Sequence, residues 1–213
     1  MKDFWNKRYA GEEYAYGTSP NEFLKSELGK ILNPGRILFP AEGEGRNAVY
    51  AASLGWDVVA FDVSEMGMEK ALRLAEKNKV TIEYLLQGYQ TINLPQESFD
   101  VIGLFFAHMP SELRAQYHQN LSGFLKPGGK IIMEAFSEYQ LGRSSGGPQN
   151  IAMLFSKEKL EHDFRSLKNL SIKETERELS EGGSHKGMAS LIQLTAEKYK
   201  PRASLNPAKG GKQ

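Results

Sequence analysis

Ile37-Leu38-Phe39-Pro40-Ala41-Glu42-Gly43-Glu44-Gly45-Arg46-Asn47-Ala48 is the stretch on which the fold turns. An apolar run passes through Gly43-x-Gly45 and opens at once into a helical pattern. Glycines let a backbone lie close beneath a ligand, and a helix N-terminus presents unpaired N–H groups to it. The next apolar run, 57–61, closes on Asp62, nineteen residues beyond Gly43. In an open parallel sheet a carboxylate there stands beside the glycine loop and accepts hydrogen bonds from ribose hydroxyls. The stretch alone leaves alternatives open. Gly43-x-Gly45-x-x-Ala48 also satisfies the dinucleotide fingerprint of a nicotinamide-dependent oxidoreductase, and a tight turn before a helix reads the same way.

Outward from this stretch, apolar runs and helical patterns alternate. Strands are expected at 36–40, 57–61, 81–86, 100–106 and 130–136, with helices at 46–54, 65–77 and 111–125. Upstream, Ser19-Pro20-Asn21-Glu22 reads as a capping box with Ser19 at the N-cap, opening a helix whose Phe23, Leu24, Leu28, Ile31 and Leu32 share a face. Asn33-Pro34-Gly35 ends it. Downstream come a helix near 156–166, a charge-rich strand at 171–180, the turn Glu181–Gly187 and a strand at 188–197. The fold class expected is α/β: a Rossmann-like, doubly wound, mostly parallel seven-stranded sheet with an antiparallel C-terminal edge hairpin. Residues 1–197 form one domain, with 1–18 as an aromatic N-terminal lid segment. A tail at 198–213, with five basic residues and no acid, is read as disordered.

Composition narrows the chemistry. The chain has 213 residues, 27 Lys+Arg against 26 Asp+Glu, and no cysteine. Balanced charge provides no broad field for nucleic acid, so none is expected as a partner. Absence of cysteine excludes disulfides, thiolate metal sites and a cysteine nucleophile. Four histidines without paired ligand spacing point to no metal. No run approaches the roughly 20 apolar residues of a membrane span, and Met1–Arg8 lacks the apolar centre of a signal peptide. A soluble cytoplasmic protein, monomeric or homodimeric, is the expectation.

Several further segments carry a resemblance. They are Phe4-Trp5-Asn6-Lys7-Arg8-Tyr9 with Tyr14-Ala15-Tyr16-Gly17, Pro40–Asn47, Phe99-Asp100-Val101-Ile102 and Leu125-Lys126-Pro127-Gly128-Gly129. Glu134–Leu141, Gly146-Gly147-Pro148 and Glu181-Gly182-x-x-His185-x-Gly187 complete the set. Over residues 4–197 the chain resembles class I S-adenosylmethionine-dependent methyltransferases, near the small bacterial tellurite-resistance and thiopurine methyltransferase-like group. The resemblance implies S-adenosylmethionine as cofactor and methyl transfer to a small-molecule acceptor. Two positions depart from the pattern: Phe39 stands where an acid is usual, and Ala41 replaces the first glycine. They keep open a third reading, a cofactor-binding protein that has lost turnover.

Methyl transfer needs orientation and exclusion of water more than it needs protein nucleophiles. The residues expected against the cofactor are Trp5, Tyr16, Glu42, Gly43, Gly45, Asn47, Asp62, Val63, Gln90 and Phe105. Aromatic Trp5, Tyr14 and Tyr16 suit a sulfonium through cation–π attraction. Glu42 takes over the missing carboxylate for the amino-acid end, and Gln90 offers an amide oxygen where the family often carries Asp for the adenine. His108, after the fourth strand, is the expected general base, or alternatively a structural, capping histidine. Glu134, Gln140 and His185 are implied near the acceptor. His118 and His162 are expected to be solvated.

Overall fold

The computed structural model describes residues 1–200, so residues 201–213 of the expected tail lie outside the described residues. The strands are β1 (Arg36–Pro40), β2 (Asp57–Asp62), β3 (Glu83–Leu86), β4 (Phe99–Phe105), β5 (Leu125–Phe136), β6 (Lys168–Glu181) and β7 (His185–Glu197). The helices are α1 (Lys2–Tyr9), α2 (Glu22–Leu28), α3 (Arg46–Ser53), α4 (Glu65–Lys77), α5 (Ser111–Phe124) and α6 (Lys157–Asp163). One sheet holds the strands in the order β3-β2-β1-β4-β5-β7-β6. Strands β1 to β5 pair in parallel, and the order reverses between β1 and β4.

The C-terminal hairpin forms the antiparallel edge expected. β7 is inserted between β5 and β6 and runs antiparallel to both, so β6 forms the edge and regains the common direction. Composition explains the order. The run Ala189–Ala196 is mostly buried and needs a neighbour on each side, whereas β6 carries Lys173, Glu174, Glu176, Arg177 and Glu178. Charged residues on an edge strand also discourage pairing with another chain.

Side chains alternate across the sheet with the period of two that strands impose. Ile37, Phe39, Val58 and Ala60 enter one core with Leu24, Ala48, Ala71 and Leu74 of α2, α3 and α4. Leu38, Val59 and Phe61 enter the other, with Leu121 and Phe124 of α5 and Leu160 of α6. Phe39 is fully buried. Gly103 on β4 makes room for it, since a Cβ there would stand 2.6 Å from the Phe39 ring.

Other expectations are corrected. The N-cap of α2 is Asn21, whose side chain accepts from Leu24 N–H at 3.1 Å, and the helix stops at Leu28. Asn21 prevails over Ser19 because tertiary bonds hold it: its amide donates to Glu134 at 2.7 Å and its N–H donates to Asn47 at 2.9 Å. Leu32 therefore falls outside the helix and is exposed. The N-terminal segment, which shows no clear period in sequence, contains α1. His118 is fully buried rather than solvated, with Nδ1 2.8 Å from Asp163, while His162 is exposed as expected. β7 ends at Glu197, the expected residue, and just past it Lys198 N–H donates to Gly129 O at 2.8 Å.

Candidate active site

The C-terminal ends of β1, β2 and β4 meet where the strand order reverses, the usual ligand crevice of an open α/β sheet. The glycine loop crosses this crevice. Ala41 keeps the left-handed backbone that glycine would take freely, at φ 52°, and Gly43 and Gly45 follow at 64° and 88°. Gly45 is irreplaceable for packing, because a Cβ there would stand 2.6 Å from that of Ala71 on α4. Gly43 N–H donates to Asp62 Oδ2 at 3.1 Å, and Ser64 N–H donates to Oδ1 at 2.9 Å. Burial raises the Asp62 carboxyl above its ordinary value, against those N–H bonds.

Glu42 Oε1 accepts N–H bonds from Asn47 at 2.9 Å and Ala48 at 2.8 Å, closing the open N-terminus of α3. Burial pushes its pKa up to about 7, despite those bonds and the charge of Arg46. Glu42 thus changes charge near neutrality.

The N-terminal segment is fastened over this loop. Trp5 and Tyr9, four apart on α1, share a helix face and stack at 5.5 Å. Asn6 accepts from Ser64 Oγ at 2.7 Å at the start of α4. Lys70 on α4 is buried, pairs with Glu44 Oε1 at 2.6 Å, and donates to the carbonyls of Gly11 at 2.8 Å and Glu13 at 2.6 Å. The other Glu44 oxygen accepts Ala15 N–H at 2.8 Å. One buried ion pair therefore ties the segment to the glycine loop.

A second cluster lies past the end of β4. Phe106 holds a left-handed backbone at φ 52°, a strained conformation of the kind that gathers at functional sites. Its ring lies 4.8 Å from Phe136 and 4.5 Å from His185. Tyr16 of the N-terminal segment lies 4.4 Å from His185. Glu181 sits 2.9 Å from Arg46, 3.2 Å from His185 and 3.5 Å from Arg177. Burial alone would raise Glu181, but His185 and Arg46 overrule it and hold the carboxyl at about 2. Burial lowers the His185 imidazole.

The expected site residues separate into groups. Glu42, Gly43, Gly45 and Asp62 are brought together at the crevice, with Val63 following Asp62 and Phe105 ending β4. Trp5 and Tyr16 both contact Tyr9, a residue outside the expected set, which is buried against Gly43. Asn47 is turned away, because its side-chain oxygen accepts Asn21 N–H at 2.9 Å in a buried joint between α3 and α2. Gln90 is exposed in a turn, whereas Tyr89 beside it is packed on Phe61 and Tyr117 with a buried hydroxyl that has no partner among the described residues. Glu134 accepts from Asn21 Nδ2, Arg177 Nη2 and Gln193 Nε2 at 2.6–2.7 Å, and Gln140 binds Ser145 and the Ser190 N–H. Both brace the scaffold. The Lys70–Glu44 pair leaves no mark in the sequence, because its members stand 26 positions apart and only tertiary structure joins them; the four-residue spacing of Trp5 and Tyr9 is a local signal.

Known proteins share stretches of this sequence and its fold. Residues 37–129 match the methyltransferase domain family. An uncharacterized methyltransferase of Schizosaccharomyces pombe is 31% identical over 120 residues, covering 55% of this chain and 81% of that protein. The thiopurine S-methyltransferase of Aliivibrio salmonicida is 26% identical, over 70% of this chain and 78% of its own. In fold, TehB from Haemophilus influenzae superposes with a TM-score of 0.68 at 20% identity, covering 92% of this chain and 66% of that one. These matches favour neither the nicotinamide alternative nor the reading as a protein without turnover, and the chain belongs to the S-adenosylmethionine-dependent methyltransferase family.

Proposed function

We propose that the protein methylates a small-molecule acceptor. The observation that carries this reading is the bond between the glycine loop and Asp62 at the strand-order reversal, where Gly43 N–H donates to Asp62 at 3.1 Å. The donor set suits S-adenosylmethionine. Each Asp62 oxygen accepts one backbone N–H and retains a lone pair for a ribose hydroxyl. Glu42 Oε2, unbonded among the described residues, suits the cofactor's ammonium. Val63 and Phe105 offer apolar walls to the adenosine, and Trp5, Tyr9 and Tyr16 offer ring faces to a cation.

When bound, the cofactor supplies a methyl carbon activated by sulfonium. The chain's residues then orient the partners and keep water out. Tyr16 and His185 join the N-terminal segment to the β6–β7 turn above the crevice. A small acceptor accords with that enclosure, with balanced charge, and with the named acceptor class of the thiopurine relative. The same reading keeps the protein cytoplasmic, a monomer or homodimer, with no nucleic-acid partner. No described helix is long and apolar enough to cross a membrane.

Calorimetric titration with S-adenosylhomocysteine tests the reading. Binding in the micromolar range is expected, and no heat at high micromolar ligand overturns it. Asp62→Ala should weaken binding at least about tenfold, the loss of roughly one charge-assisted hydrogen bond; unchanged affinity refutes the ribose assignment.

A further inference from the structure

His108 has one nitrogen committed and the other bare. Nδ1 lies 2.9 Å from the carbonyl oxygen of Met153. A carbonyl only accepts, so Nδ1 carries the proton and Nε2 of the neutral ring presents a lone pair. Nε2 is buried and has no hydrogen-bond partner among the described residues. The ring stacks on Phe136 at 5.7 Å and lies 5.6 Å from Phe155. A resident water needs two to four polar partners, and these phenyl rings supply none. Burial holds the imidazole down at about 4, with His185 nearby acting in the same direction, so the ring stays neutral at physiological pH.

Two guanidiniums of the Glu181–His185 cluster are already engaged. Arg46 is paired with Glu181, and Arg177 with Glu134 at 2.6 Å. A third, Arg8, donates to Ser184 Oγ at 3.1 Å, and at His108 itself a bare anion would face the lone pair of a neutral ring. An unsatisfied buried acceptor costs about 1–3 kcal/mol, which a ligand's N–H, O–H or S–H relieves and a bare anion does not.

We infer that the methyl acceptor is a neutral molecule with an apolar, ring-like body, and that its nucleophilic atom carries a hydrogen which donates to His108 Nε2. His108 orients the acceptor and selects for that hydrogen. The inference rests on the methyltransferase reading and refines its substrate class. In the transfer the acceptor atom would bond to the methyl carbon as that carbon's bond to sulfur breaks, and the hydrogen, made acidic by alkylation, would pass to the free Nε2 and from there to water.

The test uses the full chain with S-adenosylhomocysteine bound, so that cofactor binding is verified first. Failure of that binding condemns the methyltransferase reading itself. Imidazole nitrogen NMR should then show the His108 proton on Nδ1. Phenol, aniline and benzyl mercaptan should each shift the Nε2 resonance, whereas anisole, which lacks the hydrogen, and iodide or tellurite should not. His108→Phe, which suits a pocket of rings, should keep the cofactor Kd within twofold, abolish discrimination between phenol and anisole, and lower kcat/KM at least tenfold for whichever protic probe is methylated. His108→Gln, whose amide oxygen also accepts, should restore part of the discrimination. A proton found on Nε2, equal response to phenol and anisole, turnover confined to the anions, or no response to any protic probe while the cofactor binds would each overturn the inference.

Discussion

Replacing Lys70 with Met should detach the N-terminal segment before the rest of the molecule unfolds. The Lys70 and Glu44 side chains are 2% and 3% exposed, and their charged atoms stand 2.6 Å apart. Removing the ammonium leaves Glu44 as an uncompensated buried charge and deprives the carbonyls of Gly11 and Glu13 of their donor. Breaking one partner of a buried pair costs about 3–5 kcal/mol. For a domain of this size that is roughly 6–20 °C in Tm. The two tryptophans make the effect local and visible, since Trp5 rides on α1 and Trp56 lies in the sheet core. Urea titration of Lys70→Met in a Trp56→Phe background follows α1 alone, and a Trp5→Phe background follows the core. The Trp5 transition should move to lower urea by more than the Trp56 transition. Adding Glu44→Gln removes the stranded charge while keeping an oxygen for Ala15 N–H, and it should recover about 1–3 kcal/mol as a coupling term. A loss below about 1 kcal/mol, coincident shifts at both tryptophans, or no recovery in the double variant would refute the clasp.

Glu42 gives the pH behaviour. Its folded pKa of about 7 lies above the unfolded value, so its contribution to stability is full below about 4.5 and fades as pH rises through 7. Glu42→Gln should flatten that decline in denaturant titrations, and, with the carboxylate proposed to hold the cofactor's ammonium, affinity for S-adenosylhomocysteine should rise through pH 7 in the parent and not in the variant. Asp163 behaves oppositely: His118 and Arg114 overrule its burial and hold it at about 2, so its stabilisation, about 2 kcal/mol, is present above its ordinary value near 3.8 and disappears as pH falls through 2. Asp163→Asn should remove that acid-limb slope. In the glycine loop, Gly45→Ala should cost 2 kcal/mol or more, about the scale of overpacking, because its Cβ would meet Ala71 at 2.6 Å. Ala41→Gly should change stability by less than about 1 kcal/mol, since relief of the left-handed backbone offsets the greater freedom of unfolded glycine; thermal melts separate the two.

What was legible in the sequence was what local chemistry determines. The boundaries of β1, β2 and α4 follow from apolar runs and from Ser64, whose side chain accepts from Gly67 N–H at 3.1 Å. Gly43, Gly45 and Asp62 fall together because a parallel βαβ unit brings those positions to one end. Illegible features depended on partners far along the chain. Nothing near Asn21 announces that Glu134, 113 positions away, will hold it and move the helix start off Ser19. His118 looks solvated until Asp163 is placed beside it. Gln90 and Tyr89 differ by one step in a turn, and only the packing of Tyr89 on Phe61 shows which is inside. The inserted position of β7 lay closer to reach, because its apolar run contrasts with the charges of β6.

The β6–β7 turn has a consequence for how the enzyme is made. Ser184 N–H donates to Ala15 O at 3.1 Å, and Arg8 donates to Ser184 Oγ across 176 positions of sequence. Domains form from the N-terminus as the chain emerges, so the glycine loop and Asp62 exist in a nascent protein long before residue 184 does. Until that turn arrives, the first seventeen residues lack the bonds at Ser184 and are held by Lys70, Glu44 and the start of α4. Translation order thus delays enclosure of the crevice until nearly the whole fold has been synthesised, and a chain interrupted before the final hairpin keeps its cofactor face open to water.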